Sequence, residues 1–311
     1  MSVMHASQYS LPTAEGHQIP VSTWEPATRA SAVIQVFHGL GEHAARYARF
    51  AQAAVDRGYA VCAHDHRGHG PKAEPVPFFA PENGWDLLVS DAHTVAEFLH
   101  KEFDGAPRVL LGHSMGSYIA QSYAMRHGNE LAALILSGST WPSRPTVFVG
   151  RLLARIVSWR YGRRRASPLL DKLGFGAFNR RFEPARTELD WLSRDPAEVD
   201  AYIEDPLCGG PYSVGLWLDL LGGLLAISKD SALLQIAAEL PILITGGADD
   251  PVGGEAGMQA LSSHYEATGH RRLLTRIYPG GRHEMLNETN RDEFTREVLD
   301  WVGNNLAARE G

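Results

Sequence analysis

Ser114 lies within Gly112-His113-Ser114-Met115-Gly116, directly after the apolar run Arg108-Val109-Leu110-Leu111 and before the helix-like stretch Tyr118 to Met125. A serine on a sharp strand-to-helix turn stands clear of the backbone, and the turn tolerates only small residues two positions away on each side. A serine hydroxyl is a weak nucleophile near neutral pH. It needs a base to take its proton and a third group to hold that base in one tautomer. Both occur later in the chain, each after a strand-like run. Pro241 to Thr245 leads into Gly246-Gly247-Ala248-Asp249-Asp250-Pro251-Val252, and Leu273 to Tyr278 leads into Pro279-Gly280-Gly281-Arg282-His283-Glu284. The order serine, acid, histidine suits nucleophilic acyl transfer. Such chemistry also needs two backbone N–H groups aimed at the developing oxyanion. Met115, after the nucleophile, supplies one. Leu40, in the loop His38-Gly39-Leu40-Gly41-Glu42-His43, is the candidate for the other.

The elements that must position these residues alternate. Strand-like runs at 32–37, 59–63, 108–111, 131–136, 241–245 and 273–278 are interleaved with helical segments at 47–57, 85–103 and 288–306. That pattern predicts an α/β fold with a mostly parallel central sheet covered by helices on both faces. The first residues, with Gly16 and Pro20 between short apolar pieces, read as an antiparallel edge hairpin. The alternation stops between about Trp141 and Ser228, where helix-like pieces and prolines carry no clear strand. An insertion there lies over the strand ends where such sheets bind ligands. The expected organisation is a core of residues 1–140 and 229–311 with a helical cap at 141–228.

Four motifs together resemble the monoacylglycerol lipase and lysophospholipase group of α/β-hydrolases: His38 to His43, Asp65-His66-Arg67-Gly68-His69-Gly70, Gly112 to Gly116, and the Gly281-Arg282-His283-Glu284 turn. The similarity runs from about residue 15 to 305 and includes Val199 to Cys208 in the insertion. It implies an esterase for single-chain glycerolipids, working without metal or cofactor, with Ser114, Asp249 and His283 as the triad and Leu40 and Met115 at the oxyanion hole. Asp249 is preferred to Asp250 because the group's acid stands three residues after the strand-end glycine, taken as Gly246, and three before an aliphatic residue, Val252. Arg46, His113 and Tyr202 match positions that handle the head group. Pairing of Arg46 with Glu42, four residues earlier, is the structural alternative. Ser117 departs from the group, where glycine is frequent.

Other chemistries are weaker. His64-Asp65-His66-Arg67-Gly68-His69 nearly spells a zinc-binding run, but Gly68 stands where that run needs aspartate. A carboxylesterase, a cofactor-free haloperoxidase or a peptidase would keep the same triad, and a binding protein would have no need of it. A net charge of −7 argues against nucleic-acid partners. Two cysteines, the absence of a signal-like start and the lack of a membrane-length apolar stretch predict a soluble, cytoplasmic protein. The insertion differs in charge from the rest. Between Arg144 and Arg194, twelve Arg or Lys against four Asp or Glu leave +8. Val149, Leu153 and Ile156 form one helical stripe there, with Leu152 and Val157 beside it. A basic amphipathic helix predicts either packing over the site or peripheral contact with an anionic membrane.

Overall fold

The computed structural model describes residues 4–310; positions 1–3 and 311 of the expected core segments lie outside the described residues. The strands are β1 (Met4–Pro12), β2 (Gln18–Pro26), β3 (Ala32–Phe37), β4 (Tyr59–His64), β5 (Arg108–His113), β6 (Ala133–Ser137), β7 (Ile242–Gly247) and β8 (Leu273–Tyr278). The helices are α1 (Ala48–Val55), α2 (Gly84–Glu102), α3 (Met115–His127), α4 (Arg144–Tyr161), α5 (Pro168–Phe175), α6 (Pro196–Glu204), α7 (Val214–Ile227), α8 (Asp230–Leu233), α9 (Gly254–Ala267) and α10 (Arg291–Glu310).

One sheet holds all eight strands in the order β1-β2-β4-β3-β5-β6-β7-β8. β1 and β2 form the antiparallel edge hairpin and β2 runs antiparallel to β4, while the remaining pairs are parallel. Strands β3 to β7 are buried along their whole length. Their continuous apolar runs follow from helices covering both faces. On one face Phe50 and Val55 of α1 and Phe294 and Val298 of α10 pack on Ile34, Val61 and Ile135. On the other, α2, α3 and α9 pack on Leu110, Leu134 and Ile244. The alternation as read above leaves 254–267 unassigned. It forms α9, with Met258, Leu261 and Tyr265 buried at three- and four-residue spacing.

Between β6 and α8 the chain places α4 to α7 and a short 3-10 turn, Phe178–Phe182. Their apolar faces are divided differently from the expected stripe. Val147 and Ala154 are the buried positions of α4, and Leu153 and Val157 pack on the core beside them. Val149 and Ile156 face outward, along with Phe148, Leu152 and Trp159. The expected stripe is therefore split, because α4 turns a small residue, Ala154, toward its neighbours.

Helix α7 ties this insertion to the core. Gly223 lies against Trp85 of α2, and a Cβ there would stand 2.1 Å from the indole ring. Trp85 Nε1–H in turn donates to Ser122 Oγ of α3 at 3.0 Å. Gly223→Ala gains about 0.8–1 kcal/mol of helix propensity but overpacks this contact, which costs about 1–3 kcal/mol. Its urea midpoint is expected to fall below that of the parent. An unchanged or higher midpoint would show that α7 is not seated this closely.

Candidate active site

Ser114 occupies the turn between β5 and α3 with φ +51° and ψ −121°. A non-glycine residue at positive φ is strained by about 1–3 kcal/mol, so the surroundings must hold it. Ser114 N–H donates to Ser137 O at 2.9 Å. The flanking glycines explain the motif. A Cβ at Gly112 would lie 2.5 Å from Gly116 O, and one at Gly116 would lie 2.1 Å from Phe37 O. The helix start is thus pressed on the end of β3, where the Gly39–Gly41 loop begins. Met115 opens α3, so its N–H has no earlier carbonyl within the helix to reach.

That loop is set by histidines. His66 N–H donates to His38 Nε2 at 3.0 Å, leaving the His38 Nδ1 proton for Gly39 O at 2.7 Å. Gly41 N–H donates to His69 Nε2 at 3.2 Å, so His69 Nδ1–H faces Arg67 O. Gly39 N–H donates to Glu42 Oε1 at 2.6 Å. Among the described residues, Leu40 N–H, between these two, has no hydrogen-bond acceptor. The run His64 to His69 is therefore partly consumed in shaping a loop. Of the two groups of three potential metal ligands found among the described residues, neither draws on it.

His283 is buried, and its Nδ1 lies 2.9 Å from Asp250 Oδ2. Asp250, not Asp249, therefore meets the imidazole, and the expectation of Asp249 is corrected. Asp250 is 4% exposed at its side chain, whereas Asp249 is 39% exposed and pairs with Arg181. Residues 248 and 249 form a turn closed by Asp250 N–H to Gly247 O at 3.3 Å, and past this turn the chain carries Asp250 inward while Asp249 stays at the surface. The extended pairing also shifts the count. β7 runs through Gly247, and Asp249 N–H still bonds Gly281 O at 2.9 Å. Three residues beyond the true strand-end glycine is Asp250. Its Oδ1 accepts Val252 N–H at 2.9 Å, which fixes the carboxylate in a turn. A Cβ on Gly247 would stand 2.0 Å from Gly281 O, so only glycine lets the two loops meet.

Burial works against a charged His283, but the Asp250 charge and hydrogen bond, with Glu284 and Glu42 further off, raise its pKa above the ordinary 6.5. His113 lies beside it, ring centroids 4.8 Å apart, and burial and His283 hold it below 6.5.

Ser114, His283, Leu40, His113 and Tyr202 line one cavity of about 400 Å³, within the range of about 300–1,000 Å³ for small-molecule sites. The insertion contributes Phe175, Phe178, Trp191 and Tyr212 to its wall. These aromatics escaped the sequence reading, although the clustering of Phe175, Phe178 and Trp191 in the basic stretch was a usable signal. A larger cavity of about 720 Å³ lies between α2, α3 and α7 but contains neither Ser114 nor His283. Arg46 is not in the Ser114 cavity wall. Its guanidinium is held by Glu42 at 2.9 Å and by both Glu284 oxygens at 2.8 and 2.7 Å. Head-group contact by Arg46 is thereby corrected to the structural alternative. Burial opposes ionisation of Glu284, yet Arg46 holds it well below the usual carboxylate range. Tyr202 OH donates to Gly41 O at 2.7 Å and accepts Gly209 N–H at 3.2 Å, so only its ring is left to face the cavity.

A family model described as serine aminopeptidase, S33, matches residues 28–290. The monoacylglycerol lipase of Mycolicibacterium smegmatis is 28% identical over 303 residues, covering 96% of this chain and 98% of that one. Human monoglyceride lipase is 28% identical over 311 residues, covering 96% and 90%. Among solved structures, a thermostable carboxyl esterase from Bacillus coagulans in complex with glycerol superposes with a TM-score of 0.87 at 25% identity, covering 98% of this chain and 100% of that one. Among the described residues no helix is long and apolar enough to cross a membrane.

Burial lowers the pKa of His64 to about 3 and of His69 to about 4. A histidine near 6.5 when unfolded but lower when folded binds more protons unfolded. Its contribution to stability is complete above pH 6.5 and is lost as pH falls toward the folded value. Each such group adds a slope of about 1.4 kcal/mol per pH unit within that window. Among the described residues, both His64 ring nitrogens are buried without hydrogen-bond partners. His64→Leu is therefore expected to flatten the fall in urea-derived stability between pH 6.5 and 4.5 by about one proton's worth. An unchanged slope would show that His64 is not held neutral.

Proposed function

Because the chain belongs to the serine aminopeptidase, S33 family of α/β-hydrolases, we propose that it is a serine hydrolase cleaving carboxylic esters of single-chain lipids, with monoacylglycerol preferred. The observation that carries this is one cavity holding Ser114, on its strained turn, and His283, held by Asp250. With Nδ1 committed to Asp250, His283 Nε2 takes the Ser114 Oγ proton as the oxygen attacks the ester carbonyl. Leu40 and Met115 N–H groups hold the oxyanion, each worth about 2.7–4 kcal/mol in comparable sites. The same Nε2–H then protonates the leaving alcohol, and water repeats the cycle on the acyl-enzyme.

Charge supports a neutral head group. Glu42, Glu284, Asp171 and Glu188 line the cavity against one cation, Lys172. Arg46, behind the wall, is occupied by two of these carboxylates. A lysophospholipid phosphate would enter among like charges with no free guanidinium. The printed names of the curated relatives, monoacylglycerol and monoglyceride lipases, point the same way. The family's description favours a second reading, an aminopeptidase, in which those carboxylates would meet a free α-amine.

Residues 141–228 act as a cap, and α4 is its membrane-facing element. Phe148, Val149, Leu152, Ile156 and Trp159 are exposed, Trp159 to 86%, with Arg155 and Arg160 exposed on the same helix. An apolar stripe bordered by arginines fits the interface of an anionic bilayer. Pelleting with anionic vesicles is expected to weaken with rising salt, as screening shortens the reach of the arginines, and to weaken at least several-fold in Trp159→Ala. Binding indifferent to salt, lipid charge and Trp159 would refute the assignment.

Turnover of monoacylglycerol, lysophospholipid and aminoacyl-anilide substrates tests the chemistry. Monoacylglycerol is expected to be best, and kcat/KM to fall on the acid side with an apparent pKa above 6.5. Asp250→Asn should lower kcat by about 10⁴-fold, as in comparable triads, while Asp249→Asn changes it little. Equal losses in the two variants would overturn the triad, and preference for the anilide would favour the second reading.

A further inference from the structure

Where the insertion closes on the core, His43, Asp205 and Cys208 bring an imidazole nitrogen, a carboxylate oxygen and a thiol sulfur within 4.8 Å of one another. His43 follows the Gly39–Gly41 loop, and Asp205 and Cys208 follow α6. The carboxylate is already oriented. Its Oδ1 accepts Leu207 N–H at 2.8 Å, and its Oδ2 faces His43 Nε2 at 2.8 Å. Cys208 N–H is fixed on Asp205 O at 3.0 Å.

The local charge favours a cation. Asp205, Glu42 and Glu284 act on Cys208 from one sign and Arg46 from the other, so three carboxylates meet one guanidinium. Sulfur, imidazole and carboxylate together suit zinc-type ions, whereas magnesium and calcium prefer all-oxygen sites. Tetrahedral zinc with these ligands sets donors about 3.3–3.6 Å apart. Donors that now lie within 4.8 Å of one another would have to close to that spacing, with the ion replacing the His43–Asp205 hydrogen bond.

We propose that His43, Asp205 and Cys208 form a site for a zinc-type divalent cation that clamps the insertion onto the loop carrying Leu40 and slows turnover. On binding, bonds form from the metal to His43 Nε2, an Asp205 oxygen and Cys208 Sγ, with water completing the shell. The Nε2 proton moves to Nδ1 by way of solvent, and the thiol proton leaves to solvent. The clamp acts on a seam already closed by Gly209 N–H to Gly41 O at 2.8 Å and by Tyr202 OH to Gly41 O. The effect on turnover rests on the hydrolase reading above, but binding of the ion does not.

Cadmium added to the intact protein tests binding, through the ultraviolet thiolate-to-cadmium charge-transfer band. One equivalent is expected to saturate the band. It should vanish in Cys208→Ser, weaken at least tenfold in affinity in His43→Gln and Asp205→Asn, and persist in Cys62→Ala. The other ligand group, His93, His127 and Glu130, has no sulfur and is silent in this assay. Zinc at saturation is expected to lower kcat on a soluble ester at least fivefold in the parent and to leave Cys208→Ser unaffected. No band, a band retained in Cys208→Ser, or a parent whose turnover ignores bound zinc would overturn the proposal. An enzyme inactive on every ester but showing the Cys208-dependent band would instead count against the hydrolase reading alone.

Discussion

At Gly116 there is no room for a side chain, since a Cβ would stand 2.1 Å from Phe37 O and 2.6 Å from His38 O. This backbone-to-backbone approach is the constraint on which the site depends. It brings the first turn of α3, with Met115, against the loop that carries Leu40. It also keeps Ser114 at positive φ, a conformation the chain would abandon without support. A second approach of the same kind, Gly247 on Gly281, joins the loops bearing Asp250 and His283. Two glycine contacts thus bring together side chains from four separate strand ends.

Around these contacts, polar groups are buried in specified charge states. His38 and His69 are neutral, each with one nitrogen accepting from a backbone N–H and the other left to donate to a carbonyl. Glu42 and Glu284 share Arg46, which holds Glu284 well below the usual carboxylate range. The imidazoles shape the loop without adding charge near the nucleophile, and the carboxylates help keep His283 basic. Such an arrangement is stable only while every group keeps its protonation state, because a buried unpaired charge is costly. The pH dependence of folding and of the site therefore share one origin.

The insertion presents two faces with different tasks. Its inner wall of Phe175, Phe178, Trp191 and Tyr212 gives the cavity an apolar lining. The outer face of α4 leaves large apolar side chains in water, which burial elsewhere in the chain would avoid. Gly223 under Trp85 and Gly209 on Gly41 fasten the insertion to the core at two separate points.

The amino-acid sequence by itself determined the alternation of strands and helices, the serine turn, the loop with Leu40 and the place of His283. These are local features: strand periodicity, glycine at crowded turns, and residues a few positions from a strand end. It also showed that an acid lies at Asp249 or Asp250. Only the tertiary structure chose Asp250, because the turn after Gly247 carries that side chain to His283 and leaves Asp249 outside. Arg46 was equally beyond local reading. Its pairing with Glu284 spans 238 positions, and nothing in the spacing distinguishes a guanidinium spent on carboxylates from one left for a ligand. The outward turn of α4 was undecided for a related reason. Apolar residues at helical spacing declare an amphipathic face, but whether protein or solvent meets it depends on how neighbouring helices pack.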